Sequence, residues 1–169
     1  TSLIDRTLFV LFRAIQTAAP AGAVIWILAN IHLNGVSLAQ HIANFLNPFG
    51  LLLGLDGVIL LAYIIAIPAN EIVVPTMIMV YMGTSMMADV PSYHDLYNLL
   101  VGMHGWTLLT AVNLMLFALL HNPCATTIIT IYKETKSKKW ATISVVITLG
   151  LAFLVTFLTA SAARLMGWV

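Results

Sequence analysis

Residues 14–55 contain no Asp, Glu, Lys or Arg, residues 57–87 contain only Glu71, and residues 98–132 again contain none. A helix needs about 20 apolar residues to cross the hydrocarbon core of a bilayer, so this spacing of charges predicts a series of membrane helices. The first covers 8–29, with Arg13 near its start and Pro20 as a kink. Residues 30–48 carry Asn, His, Gln and Ser among the apolar positions, and read as a connection with an amphipathic helix at the membrane surface. Residues 50–57 are punctuated by glycine and lead to Asp56, a helix N-cap in front of the second apolar stretch. A polar loop follows at 88–97. The stretch 98–132 would be roughly 52 Å long as one straight helix, too long for a single unbroken crossing. A last clean helix covers 140–163, with Trp140 and Trp168 placed as interfacial anchors. The runs are continuous and do not alternate in pieces of about ten residues, which excludes barrel strands.

Two of the apolar stretches are interrupted. One break is "PANEIVVP" at 68–75; the other is "HNPC" at 121–124. Each separates two apolar runs, and small or polar residues follow both, which makes a weak internal repeat. A free backbone N–H or C=O costs several kcal/mol in lipid, so such breaks belong where protein or a water-lined cavity satisfies them. Paired Pro-interrupted segments are a pointer to a transporter's binding site near the midplane. The expected fold is therefore all-α: a polytopic transmembrane helical bundle, one domain over 1–169, with two broken or re-entrant helices.

The breaks also hold the candidate chemistry. Asn122 is placed to cap a helix whose first residue is Pro123, leaving Cys124, Thr126 and Thr127 in the first turn, where the dipole favours a thiolate. Asn70 and Glu71 form a similar cap and first-turn carboxylate. His121 and Cys124, three apart, can aim at one point. Such O, N and S donors suit a borderline first-row divalent cation better than Mg²⁺ or Ca²⁺. Read singly, Cys124 is a small hydrophobe, His121 a carbonyl cap and Asp56 an interfacial cap. Glu71, a carboxylate within an apolar segment, is functional by default. His32, His41, His94 and His104 are scattered and carry no reading.

Composition sharpens this picture. Hydrophobic residues make up 61% of the 169-residue chain and charged residues 8%, with a mean hydropathy of +1.01, whereas a soluble domain carries about 25% charged residues. The net charge of +1 excludes a nucleic-acid surface. A single cysteine excludes an intramolecular disulfide and a cage of Cys pairs. Lys133, Lys136, Lys138 and Lys139 are four of the seven Lys and Arg residues, which puts their loop on the cytoplasmic side.

The strings "GLDGVILLAYIIAIPANEIVVP", "GWTLLTAVNLMLFALLHNPCATT" and "IYKETKSKKWA", in that order over about 54–140, resemble the C-terminal membrane region of the bacterial ferrous iron transport protein B family (FeoB). The resemblance implies a multi-pass bacterial inner-membrane transporter that moves Fe²⁺ into the cytoplasm as cargo, with no tightly bound cofactor. The family uses two gate modules, each with a cysteine. The second corresponds here to "HNPCATT", hence Cys124, Thr126 and Thr127; Glu71 sits in "PANE" and Asp56 in "GLDG". The chain has no G-x-x-x-x-G-K-[ST] phosphate loop and no counterpart of the first gate. It is expected to be a C-terminal portion or separately encoded half, not itself an enzyme, with the bilayer and the missing half or an oligomer as partners.

Two other readings compete. One is a structural or assembly subunit that keeps the gate fold without carrying metal. The other is a gate-type transporter of an organic solute such as a nucleoside, for which the two breaks offer few aromatic or amide groups. An enzyme fits least, because no nucleophile–base pair or HExxH motif is present.

Overall fold

The computed structural model describes residues 2–33, 35–68, 70–84, 92–121 and 124–167, with side chains except at 2, 3, 6, 13, 14, 17 and 18. Helix α1 (Ser2–Asn30) carries Pro20 inside it. A hairpin of two-residue strands, β1 (His32–Leu33) and β2 (Val36–Ser37), then turns the chain. Helix α2 (Leu38–Leu52) is capped by Ser37, whose hydroxyl accepts from Gln40 N. Next come α3 (Gly57–Ile65), a 3₁₀ turn (Asn70–Ile72) and α4 (Val73–Met82). A short α5 (Tyr93–Tyr97) runs into a π-helical turn (Asn98–Met103), followed by α6 (Leu108–Leu120), α7 (Ala125–Thr135) and α8 (Lys138–Leu165). The chain is helical as expected, the small hairpin apart.

By length and composition, Leu108–Thr135 and Lys138–Leu165 are each sufficient to cross a membrane, and α2 with α3 makes a third span if that bent pair counts as one. Multi-pass membrane insertion follows. Three segments add detail to the sequence reading. The segment 30–48 divides into the hairpin and most of α2, which packs against α3. The bend of 109° lies between α2 and α3, ahead of "PANEIVVP". The third stretch is interrupted early too: after the π-helical turn Gly105 takes φ 65° and the Thr107 hydroxyl accepts from Thr110 N, so the long helix starts at Leu108. Trp140 is exposed at the start of α8, as an anchor would be; Trp168 lies outside the described residues.

Helix α3 forms the centre. Every residue in it except Ile64 is buried, the pattern of a helix packed on all sides. Its start meets α2 so closely that only glycine fits: a Cβ on Gly57 would fall on the Ala43 carbonyl oxygen and 2.7 Å from Asn47 N. On α8, the buried Ala152, Thr156, Ala160 and Ala163 form a stripe of small residues that lets helices approach. Buried Asn113 of α6 faces that stripe. Its Nδ2 donates to Leu53 O (2.7 Å) and Thr156 O (3.3 Å), and its Oδ1 accepts from Thr159 (2.5 Å).

Candidate functional site

The residues that flank the two sequence breaks meet. Ala125 N, at the start of α7, donates to Ile67 O, just beyond α3, at 3.1 Å. A carbonyl freed where α3 ends thus takes an N–H freed where α7 begins, the kind of satisfaction that an apolar surrounding demands.

Around this junction the predicted residues separate. Cys124 is the N-cap residue of α7, so the helix begins after it and not at Pro123; Asn122 and Pro123 lie outside the described residues. The Cys124 Sγ is half-buried, 2.9 Å from Thr126 Oγ1 and 3.3 Å from Thr127 Oγ1. This places a thiol and two hydroxyls in one small group, as the spacing predicts. His121 turns elsewhere. Its ring is buried, 4.6 Å from that of Tyr63 and stacked 5.6 Å from Phe117, and its Nδ1 lies 3.4 Å from Ala118 O. Asn70 does not cap α4, because the 3₁₀ turn intervenes and puts Ile72 at the N-cap, without a side-chain bond. Glu71 is exposed on that turn. Three buried polar atoms near the breaks have no hydrogen-bond partner among the described residues: Asn70 Oδ1, Thr76 Oγ1 and His121 Nε2. Native interiors leave few such atoms. Among the described residues, no three His, Cys, Asp or Glu side chains gather as a metal-binding group.

A cavity of about 340 Å³ lies beside the junction, lined by Tyr63, Phe117, His121 and Phe153 with aliphatic residues that include Ile67. The Tyr63 hydroxyl donates to Leu114 O (3.3 Å). These rings come from α3, α6 and α8. The expectation that the breaks offer few aromatic groups holds for the breaks themselves but not for the cavity next to them.

Asp56 stands at the other end of α3. Its Oδ1 accepts from Ile59 N at 2.8 Å, the expected cap, and its Oδ2 accepts from the Tyr81 hydroxyl. Trp106 Nε1 donates to Tyr81 at 3.0 Å, and His104 packs on the Tyr81 ring at 4.2 Å. Sequence reasoning missed Tyr81, Trp106 and His104. Tyr81 is 25 residues from both of its partners, and no local pattern marks such a link. The four lysines are all exposed around the α7–α8 turn, where Lys136 takes the left-handed φ of 54° at the helix end.

No solved structure matches the chain. A curated relative, the Fe(2+) transport protein A/Fe(2+) transporter FeoB fusion protein of Porphyromonas gingivalis, is 29% identical over 111 residues. That alignment takes in 63% of this chain and 13% of the relative, so the chain spans a small part of that protein's length. It is a FeoB-like gate region in sequence. The profile of the Gate family, described as nucleoside recognition, matches residues 11–138, and the chain belongs to that family.

Proposed function

We propose that the chain is a membrane transport module which contributes one side of a permeation path for Fe²⁺ into the cytoplasm, with the path passing the junction of the two breaks. The observation that carries this reading is the Ala125 N to Ile67 O hydrogen bond, which brings Cys124, Thr126 and Thr127 to the end of α3. A thiol beside two hydroxyls favours a borderline divalent ion over Mg²⁺. The two breaks act in this reading as interruptions of membrane helices. The unpartnered Asn70 Oδ1 and His121 Nε2 are spare donors or acceptors along the way. Glu71, exposed and with no bond to the described residues, needs a neighbour at membrane depth, supplied by a second module that completes the ligand set. The similarity to a FeoB fusion protein supports the choice of ion. The lysine-bearing turn faces the cytoplasm of a bacterial inner membrane.

The test is anaerobic Fe²⁺ binding to the detergent-purified chain, for wild type beside Glu71→Gln and Cys124→Ser. Weakening by both substitutions, with Mg²⁺ unable to compete, is the expected result. Binding that neither substitution alters would overturn it. A second reading, an organic solute such as a nucleoside, is favoured by the family description and by the ring-lined cavity of about 340 Å³. It predicts nucleoside protection of Tyr63 and His121 from chemical modification. The lining offers few polar groups for a base edge, and the metal reading therefore leads.

A further inference from the structure

The corner between α2 and α3 borders a second, half-open pocket of about 200 Å³, and its chemistry is the opposite of the first. Gln40, Asn44 and Asn47 from α2, Asp56 before α3, Tyr81 of α4 and His104 line it. Trp106 Nε1–H donates to the Tyr81 oxygen, which leaves the tyrosine's own proton for Asp56 Oδ2. Oδ1 accepts the backbone N–H of Ile59. Both carboxyl oxygens therefore act as acceptors, the arrangement that suits the anion. Among the described residues no basic side chain forms an ion pair with it, and His104 packs at a tilt on the Tyr81 ring. The Tyr81 hydroxyl, the Ile59 N–H and the start of α3 offset part of the half-buried Asp56 charge, and a bound cation would offset the rest.

The remaining donors say which cation that is. Gln40 Nε2 lies 3.5 Å from Asn44 Oδ1, which leaves the Gln40 carbonyl oxygen uncommitted, and the Asn47 Oδ1 holds Gly57 N at 3.2 Å. The cavity thus presents one negative charge and several neutral oxygens, with no thiol. Hard oxygen donors select hard cations, and a single carboxylate neutralises a single charge. We propose that this corner binds a small monovalent cation of the Na⁺ class, held by Asp56 and the side-chain oxygens of Gln40 and Asn44. The site is separate from the Cys124 junction and does not rest on the iron reading.

The full chain in detergent provides the test, with NaCl, LiCl, KCl and choline chloride compared at equal ionic strength. Choline is too large and makes no coordination bond, so it controls for screening. An ion that binds only the folded chain raises its unfolding temperature with concentration. NaCl or LiCl should raise the midpoint over choline chloride. Asp56→Asn keeps a good helix cap and should weaken this response by roughly tenfold or more in concentration. Asn44→Ala, which leaves the cap untouched, should weaken it less. Tryptophan emission should follow the same titration and lose its response in Trp106→Phe. Equal midpoints in NaCl, LiCl and choline chloride for wild type, or an undiminished response in Asp56→Asn, would overturn the proposal.

Discussion

Gly57→Ala tests the packing that positions both sites. In most helices this exchange helps, because alanine saves backbone entropy worth about 0.5–1 kcal/mol. At Gly57 the added Cβ falls on the Ala43 carbonyl oxygen and lies 2.7 Å from Asn47 N, both of them backbone. A flexible side chain would swing aside, but a helix backbone does not. The start of α3 must therefore withdraw from α2, at the 1–3 kcal/mol or so that overpacking costs. Withdrawal also strains the bond from Gly57 N to Asn47 Oδ1 (3.2 Å), whose loss adds about 1 kcal/mol. The expected destabilisation is about 2–4 kcal/mol. Gly150→Ala is the control: Gly150 lies within α8 and has nothing within 4 Å of an added Cβ, so that variant should be neutral or slightly more stable. Reversible unfolding in mixed micelles, followed by circular dichroism, reads both. If Gly57→Ala unfolded no more easily than Gly150→Ala, the tight α2–α3 corner would be wrong.

Asn113→Ala should cost about 1–3 kcal/mol in the same assay, because it leaves the Leu53 carbonyl without its side-chain donor, while the Thr159 hydroxyl keeps the Val155 and Thr156 carbonyls; a neutral result would mean that the Leu53 carbonyl finds a substitute. Cys124, the chain's sole cysteine, should be alkylated by a maleimide more slowly in anaerobic Fe²⁺ than in Mg²⁺, and equal rates would remove the thiol from the ion's path. Arg164→Ala removes the guanidinium that donates to the Leu51 and Leu52 carbonyls at the end of α2. Since Arg164 is exposed, the expected loss is no more than about 1 kcal/mol, read from the unfolding midpoint.

What could be read in the sequence was local. The Asp56 cap is a bond across three residues, and the Cys124–Thr126–Thr127 group spans four, so short-range spacing found both. Prolines were a mixed guide, since α3 does end shortly before Pro68. Pro20 and Pro48 lie inside α1 and α2, and the sharp bend is made where Gly54 takes φ 67° and Asp56 restarts the helix. That bend was written in "GLDG", whereas "PANEIVVP" drew the attention because it holds a charge. Long-range partners left no trace. Asn113 looks like one polar residue in an apolar run until the fold brings it to Leu53, 60 residues away. His104, which carried no reading by itself, gains one only when α4 delivers Tyr81 beneath it.

The two sites are linked by one short strut. Helix α3 has nine residues, hence a length of about 13 Å, under half of a hydrocarbon core of about 30 Å. Asp56 and its hydrogen-bonded Tyr81 hold the N-terminal end, and just past the other end Ile67 O holds α7 through Ala125 N. A buried, closely packed helix of this length moves as a unit and does not bend along its course. A Cβ at Gly57 that displaces the first turn is therefore expected to disturb the Ala125 N to Ile67 O bond as well, which a changed maleimide rate at Cys124 in Gly57→Ala would report. The polar corner and the thiol junction, opposite in chemistry, stand at the two ends of one short helix.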